Sequence, residues 1–169
     1  RMAFVSEDRR GTGLLLDESI EFNMVATAIQ TKGMFMKTGR VSILNSREMT
    51  GYAREMIEKL DIRCTGPRQL ARRLSGGNQQ KVCIARAITL EPSLLFVSEP
   101  TRGIDIGAKK LILDLLLELN EKMGMTIVMT SSELAELRSI CDRILIICEG
   151  RVAGELAPDA SDADFGLMM

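Results

Sequence analysis

The chain has 169 residues, of which 46% are hydrophobic and 27% charged, and these values are typical of one globular domain with at most a small insertion. They exclude disordered, collagen-like and coiled-coil chains. With 22 basic and 23 acidic side chains the net charge is -1, and only 4% of the residues are aromatic. The chain therefore lacks the basic field and the stacking surface of nucleic-acid-binding proteins, and we expect no nucleic-acid partner.

The absence of histidine removes a large group of enzyme mechanisms. Without His the usual Ser and Cys triads and most catalytic zinc sites are excluded. The cysteines have no C-x-x-C spacing and stand among apolar residues, so we interpret them as small buried residues in a reducing compartment: Cys64, Cys83, Cys141 and Cys148. No segment has the roughly 18 consecutive apolar residues that a membrane-spanning helix needs. The opening at Arg1 is not typical of a natural start, so we expect the sequence to be a piece of a longer protein.

The first half of the chain predicts one strand and one clear helix. Residues 2–5 form a short apolar run typical of a buried strand, and residues 6–13 form a charged loop with two glycines. From Met49 to Leu60 the apolar residues recur at helical spacing, which predicts an amphipathic helix with one buried face. Gly66 and Pro67 end this segment.

The second half alternates helices and strands, which predicts a layered α/β sheet. A helix is expected to begin at Ser75, with the serine as its side-chain cap, and to end before Pro92. Residues 94–97 predict a central parallel strand covered on both faces. The remaining elements are a largely buried helix at 109–122, a strand at 126–129, a helix that a capping box at 130–133 begins, and a hairpin at 143–153. We expect the last dozen residues to fray.

The most informative stretch is Leu-Ser-Gly-Gly-Asn-Gln-Gln-Lys at residues 74–81. A serine and two glycines at a helix start leave backbone N–H groups free at the positive end of the helix dipole, so Ser75, Gly76 and Gly77 predict an anion site. Taken alone, they fit a serine-capped helix with a flexible start equally well. Glu99 strengthens the first interpretation because it follows a buried strand, at the edge where open α/β sheets bind ligands.

Several blocks together resemble the ATP-binding subunits of ABC transporters. Residues 74–81 resemble the signature motif, and residues 94–105 resemble the Walker B and D-loop segments. More narrowly, the residues at 7–10, 78–81, 102–109 and 131–134 are similar to the C-terminal nucleotide-binding half of bacterial ribose- and galactose-type sugar importers. The resemblance extends to about residue 156. It implies an α/β fold: a partial ABC-type P-loop NTPase core with a mostly parallel sheet, plus a helical subdomain.

The resemblance also implies how the chain is divided. Residues 1–8 correspond to a core strand and a Q-loop-like turn, and residues 9–91 to the helical subdomain with the signature helix. Residues 92–156 correspond to the ATPase core with the Walker B segment, the D-loop and the switch region. Residues 157–169 are left as a frayed tail.

Two groups of site residues carry the implied nucleotide chemistry. In the family, the signature amides close over the γ-phosphate of ATP held by the opposite domain, a role that falls here on Ser75, Gly76 and Gly77. Gln79 belongs to the same set of nucleotide contacts. Glu99 corresponds to the catalytic carboxylate that orients or deprotonates the attacking water.

Three further residues have implied roles, and for two of them a simpler interpretation stays open. Asp105 matches the D-loop residue that links the two sites of the dimer. Glu7 stands where the Q-loop glutamine approaches metal and nucleotide, but it also fits a solvated loop charge. Ser132 occupies the position of the switch histidine, but it also fits a helix-capping neighbour of Thr130.

Two departures from the family pattern weaken this chain's own ATP site. No G-x-x-x-x-G-K-[ST] occurs, so the chain has no phosphate-wrapping loop and no P-loop lysine. Ser98 stands where the family has the Asp that supports magnesium, and a neutral hydroxyl is a poor ligand for this hard cation. It also fits a simple strand-end hydroxyl. We therefore predict no metal ligand in the chain, with ATP and Mg held mainly by regions or subunits outside it.

The implied function is ATP-coupled carbohydrate import. The chain is expected to supply the signature motif that completes an ATP site on the N-terminal ATP-binding half of the same protein, and to be inactive as an ATPase alone. Expected partners also include the transmembrane permease subunits and, indirectly, a periplasmic sugar-binding protein, with the chain at the cytoplasmic face of the inner membrane. The alternative is a non-catalytic ABC-like interaction or regulatory module. Without the preceding strands we expect an uncovered apolar sheet face and self-association.

Overall fold

A computed structural model describes residues 1–37 and 42–168. Within these ranges, a π-helical turn lies at Arg9–Gly13 and a 3-10 turn at Ala71–Arg73. The strands are β1 (Met2–Val5), β2 (Met36–Lys37), β3 (Ile43–Leu44), β4 (Leu94–Ser98), β5 (Thr126–Thr130), β6 (Ile144–Cys148) and β7 (Arg151–Leu156). The α-helices are α1 (Ile20–Lys32), α2 (Ser46–Lys59), α3 (Gly76–Ile88), α4 (Ile106–Met123), α5 (Leu134–Ile140) and α6 (Asp162–Met168).

Strands β1, β4 and β5 form a three-stranded sheet in the order β1-β4-β5. Strands β1 and β4 are parallel, with Phe4 beside Phe96. Because side chains alternate across a strand, one face carries the buried residues Ala3, Val5, Leu95 and Val97. On the other face Met2, Phe4 and Phe96 are 70%, 65% and 37% exposed. The prediction of a central parallel strand is confirmed, but coverage on both faces is wrong for β4, because one apolar face of this sheet is open.

Helices α1 and α3 pack against each other, and α3 also packs against β1. The predicted amphipathic helix is α2, which buries Met49, Ala53 and Met56 on one face. Helix α1 begins where Ser19 caps it through a hydrogen bond from Phe22 N to Ser19 Oγ (3.1 Å). The sequence pattern did not predict this helix, because apolar and polar residues are spread around it rather than collected in one stripe.

Helix α4 is buried along one face only. Its buried residues are Ile112, Leu115, Leu116 and Leu119, whereas Leu111 is 47% and Ile106 87% exposed. The prediction of a largely buried helix is therefore wrong. A helix with apolar residues all round needs neighbours on every side to be buried, and its sequence alone does not show which neighbours are present.

The chain packs into two compact units, Arg1–Val128 and Met129–Met169. The second unit contains the predicted hairpin as the antiparallel pair β6 and β7. Residues 157–169 were expected to fray, but α6 forms there and buries Phe165 against Ile144 and Ile146. Arg138 lies over the Phe165 ring at 4.8 Å. The prediction of a frayed tail is therefore wrong, because the buried ring of Phe165 holds the end of the chain in place. The segment boundaries at residues 8, 91 and 156 remain predictions.

Candidate functional site

The start of α3 lacks the side-chain cap that its sequence predicts. Ser75 is the N-cap residue, but its hydroxyl accepts no hydrogen bond from the first turn of the helix. Ser75 Oγ instead accepts a hydrogen bond from Asn78 Nδ2 (2.9 Å), and Asn78 Oδ1 accepts one from Arg63 N (2.9 Å). The Asn78 amide is thus fixed between two partners. Since Ser75 Oγ is used here as an acceptor, its own proton stays available for donation.

Three backbone N–H groups remain open at this helix start. The first intrahelical bond is donated by Gln79 N to Ser75 O (2.9 Å), and in the part of the chain that the structure describes the amides of Gly76, Gly77 and Asn78 have no acceptor. By contrast, the other long helices, α1, α2 and α4, each have a side-chain oxygen over their first turn, whereas the short helix α5 has no side-chain cap either. The start of α3 therefore presents three N–H groups and one hydroxyl at the positive end of a helix dipole, which suits an anion. We call the residues 75–78 the amide corner.

Gly77 is required by packing as well as by access to the amide. A Cβ atom at this position would lie 2.9 Å from Ala108 Cβ and 3.8 Å from Ile104 Cγ2. At Gly76 the nearest atom to a Cβ would be Gly103 O, at an ordinary 3.5 Å. Helices α3 and α4 thus approach each other closely at Gly77, which is a second reason for a glycine at this position.

The predicted catalytic carboxylate stands at the end of a strand, as expected. Glu99 follows β4 directly, is half-buried, and has a φ of 45°, in the left-handed region that residues with a side chain seldom occupy. A turn follows, in which Arg102 N donates to Glu99 O (3.2 Å) and Ile104 N to Thr101 O (3.1 Å). This tight turn connects the end of β4 to Gly103 and Ile104, which lie next to the start of α3.

Asp105 ends this turn and begins the next helix. Its Oδ1 accepts a hydrogen bond from Ala108 N (3.0 Å) and so caps α4. This structural role accounts for an acidic residue at position 105 without a nucleotide. The D-loop role that the resemblance implies stays a prediction beside it.

Glu7 is an exposed loop residue that has an ion-pair partner. Its Oε2 lies 3.1 Å from Arg102 Nη1, so the residue at the Q-loop position is ion-paired to the turn that follows β4. Both side chains are about half-exposed or more, and an exposed pair of this kind stabilises a fold by at most about 1 kcal/mol. The ion pair holds the Glu7 carboxylate beside the turn that follows β4.

The structure does not support a direct ligand contact by Gln79. Its side chain is 2% exposed, its Nε2 donates to Ala71 O (3.3 Å), and its Oε1 has no partner among the described residues. A ligand at the protein surface needs an exposed polar atom, which this side chain lacks. Gln79 lies inside the fold because α3 is buried on nearly all sides from Gly77 onwards, which the motif alone does not reveal.

Ser132 lies just before α5, in the second compact unit. Helix α5 begins later than the predicted capping box implies, because its N-cap is Glu133 and not Thr130, and Glu133 makes no side-chain cap. Ser131 instead accepts a hydrogen bond from Glu133 N (3.0 Å) and donates one to Glu136 Oε2 (2.9 Å). Both interpretations of Ser132, the switch role and the helix-capping neighbour, stay predictions.

The described residues show neither a metal-binding cluster nor a membrane-spanning helix. Across residues 1–37 and 42–168, no three His, Cys, Asp or Glu side chains come together as a metal-binding group. None of the helices described in these ranges is both long and apolar enough to span a bilayer.

The family model described as ABC transporter matches residues 5–102, and the chain belongs to this family. Among solved structures, a dimeric bacterial ABC transporter cassette (MJ0796) matches with a TM-score of 0.72 and 25% identity, over 95% of this chain and 64% of that one. A metal-chelate-type ABC transporter in an inward-facing conformation shares the fold, with a TM-score of 0.78 and 20% identity over 99% of this chain and 63% of its own.

The curated relatives are sugar-import proteins. The ribose import ATP-binding protein RbsA 2 of Rhizobium meliloti is 42% identical over 92% of this chain and 29% of its own length. The ribose import ATP-binding protein RbsA of Bacillus subtilis is 41% identical over 92% of this chain and 30% of its own length. The chain thus spans about three tenths of the length of these relatives.

Proposed function

We propose that this chain acts as the C-terminal part of the ATP-binding subunit of a sugar ABC importer, where its amide corner completes an ATP site on the partner half. The observation that carries the proposal is the set of three unbonded amides at Gly76, Gly77 and Asn78, together with the Ser75 hydroxyl. The first N–H groups of a helix need acceptors from outside the helix, and a glycine-lined start leaves room for an anion to supply them. The γ-phosphate of ATP has the charge and the acceptor oxygens that this corner lacks.

The remaining residues suit such a site to different degrees. When bound, ATP supplies a phosphoanhydride bond whose hydrolysis drives transport. Glu99, held at the end of β4 by a fixed turn, orients or deprotonates the attacking water. Ser98 offers no anionic oxygen to a magnesium ion, which fits a chain whose ATP and Mg are held mainly outside it. Ser98 is also what favours the second candidate, a non-catalytic ABC-like interaction module.

The proposed partners follow from the same assignment. The N-terminal ATP-binding half of the same protein presents ATP to the amide corner, the permease subunits span the membrane, and a periplasmic sugar-binding protein acts through them. The chain then works peripherally at the cytoplasmic face of the inner membrane. The relatives named for ribose import support a sugar as the transported substrate.

Replacement of Ser75 by arginine tests this function. In the whole ATP-binding protein assembled with its permease in vesicles, Ser75→Arg fills the space where the phosphate contacts the corner. We expect a loss of ATP hydrolysis and sugar uptake of at least about a hundredfold, similar to the loss of a main oxyanion contact. Ser46→Arg is the matched control, because it makes the same change at the exposed first residue of α2.

Two outcomes separate the candidates. Loss of turnover in Ser75→Arg with normal activity in Ser46→Arg supports the importer function. Wild-type hydrolysis and uptake in a correctly folded Ser75→Arg protein would remove the amide corner from the mechanism and leave the non-catalytic module as the better description.

A further inference from the structure

Arg9 occupies a central position beside the amide corner. It is the first residue of the π-helical turn Arg9–Gly13, which Asp8 caps through a hydrogen bond from Gly11 N to Asp8 Oδ1 (2.8 Å). From there the side chain extends to the turn after β4, where Arg9 Nη1 donates to the backbone oxygen of Arg102 (2.9 Å). The contact joins residues 93 positions apart in the sequence.

The other arm of the guanidinium points to the start of α3. Arg9 Nη2 lies 3.6 Å from where a Cβ atom would stand on Gly76, and 3.7 Å from where one would stand on Gly103. That same Cβ position on Gly76 is 3.5 Å from Gly103 O. The guanidinium therefore fills the point where three segments meet: the loop at 6–13, the turn at 99–105 and the start of α3.

The connection between the loop and the turn is reciprocal. Arg9 donates from its side chain to the backbone of Arg102, and Arg102 donates from its side chain to Glu7 Oε2 (3.1 Å). The loop at 6–13 thus donates a hydrogen bond to the turn at 99–105 through Arg9, and the turn donates one to the loop through Arg102. We call Arg9, Arg102 and Glu7 the arginine clamp.

Arg9 is half-buried, and the part of its side chain nearest the backbone is removed from water. Its Nε is buried and has no hydrogen-bond partner in the described residues, and burial lowers the pKa of the guanidinium below its ordinary value. A cation free to turn outward would recover its hydration. The side chain of Arg10, the next residue, is exposed and forms no ion pair or hydrogen bond with the described residues. The chain thus offers two adjacent arginines, one built into the fold and one on its surface.

We propose that Arg9 is a positioning residue that holds the turn at 99–105 against the start of α3, so that the amide corner, Glu7 and Asp105 keep one fixed arrangement. This proposal rests on the proposed function, since the arrangement matters for turnover only if the corner binds the phosphate of ATP. It assigns Arg9 no contact with substrate. Arg9 instead keeps the N–H groups of the amide corner in a fixed orientation, so that they already point at the phosphate position when negative charge develops on the phosphate.

Arg9→Gln and Arg10→Gln test the proposal in the whole ATP-binding protein assembled with its permease. Both variants remove one positive charge from adjacent positions, so they differ only in the clamp. In Arg9→Gln we expect faster amide hydrogen exchange at residues 76–79 and 102–106, and a kcat for ATP hydrolysis at least about tenfold lower with KM for ATP within about twofold. Arg10→Gln is expected to match the wild type in both measurements.

Thermal unfolding checks that the variants are folded. If Arg9→Gln does not fold, Arg9→Lys is used in its place. A single ammonium can still donate to Arg102 O but cannot extend to Gly76 at the same time. We therefore expect the same increase in hydrogen exchange and the same loss of kcat, each smaller than in Arg9→Gln.

Each result decides the matter. Exchange and kcat that change together, in Arg9→Gln only, support the clamp. Unchanged exchange, or faster exchange with unchanged kcat, overturns it. A failure of the proposed function is distinguished independently, because it shows as normal turnover in Ser75→Arg, a variant that leaves the clamp intact.

Discussion

Replacement of Gly77 by alanine should push two packed helices apart. The added Cβ would lie 2.9 Å from Ala108 Cβ, whereas carbon atoms in good contact are about 3.5–4.0 Å apart. Relieving the overlap requires α3 and α4 to shift, and overpacking of this kind costs about 1–3 kcal/mol. Alanine in a helix recovers up to about 1 kcal/mol relative to glycine. We expect a net destabilisation of about 1–2 kcal/mol.

A double-mutant cycle measures this overlap directly. Ala108→Gly removes the methyl group that the new side chain meets, at a cost of its own of about 1 kcal/mol in helix propensity. The double variant Gly77→Ala with Ala108→Gly should therefore be more stable than the sum of the two single changes predicts, by about 1–3 kcal/mol. Gly76→Ala is the control, since its Cβ meets Gly103 O at an ordinary 3.5 Å, and it should change stability by about 0.5 kcal/mol or less.

Urea unfolding followed by circular dichroism gives the four free energies. The reasoning is refuted if Gly77→Ala is as stable as Gly76→Ala, or if Ala108→Gly fails to rescue it. Either result would mean that α3 and α4 separate at little cost, and that glycine at position 77 serves access to the amide alone.

Two further predictions concern the buried thiol and the open sheet face. Burial raises the pKa of Cys83 to about 12, so iodoacetamide at pH 8.5 should modify this thiol only after unfolding, as peptide mass mapping would show. Above about pH 9 the thiol ionises in the unfolded chain but stays protonated in the folded one, so the free energy of unfolding should fall as pH rises towards 12. Cys83→Ala should lack this part of the fall. Equal pH dependence of the free energy of unfolding in the two proteins would contradict the assignment. Phe4, which is 65% exposed on the open apolar face, should promote self-association. Phe4→Ser should shift the chain towards monomer in sedimentation, with Phe22→Ser on α1 as a comparison, and an unchanged distribution would show that this face is not the contact.

The sequence predicted most local elements because their signals are local. Strand β1, helix α2 and the hairpin of β6 and β7 each follow from apolar spacing and turn residues within a dozen positions. Helix α6 was missed, because its stability depends on Phe165 packing against Ile144 and Ile146, which are about twenty positions earlier. Short segments of this kind are decided by packing rather than by propensity.

The candidate site divides in the same way. The anion-binding character of Ser75, Gly76 and Gly77 was predicted from residue types, since glycines and a helix dipole act wherever the helix begins. The inward position of Gln79 was not, because burial depends on what packs over the residue.

The sequence alone determined three features: the motif at residues 74–81, the strand before Glu99 and the family likeness. Each depends only on the order of residues along the chain. Tertiary structure alone decided that Ser75 would bond Asn78 instead of capping the helix, that Gly77 would face Ala108, and that Arg9 would meet a backbone oxygen 93 positions away. Such contacts arise when distant segments are brought together. The free energy that selects them comes from burial and close packing, which no local pattern of residues records.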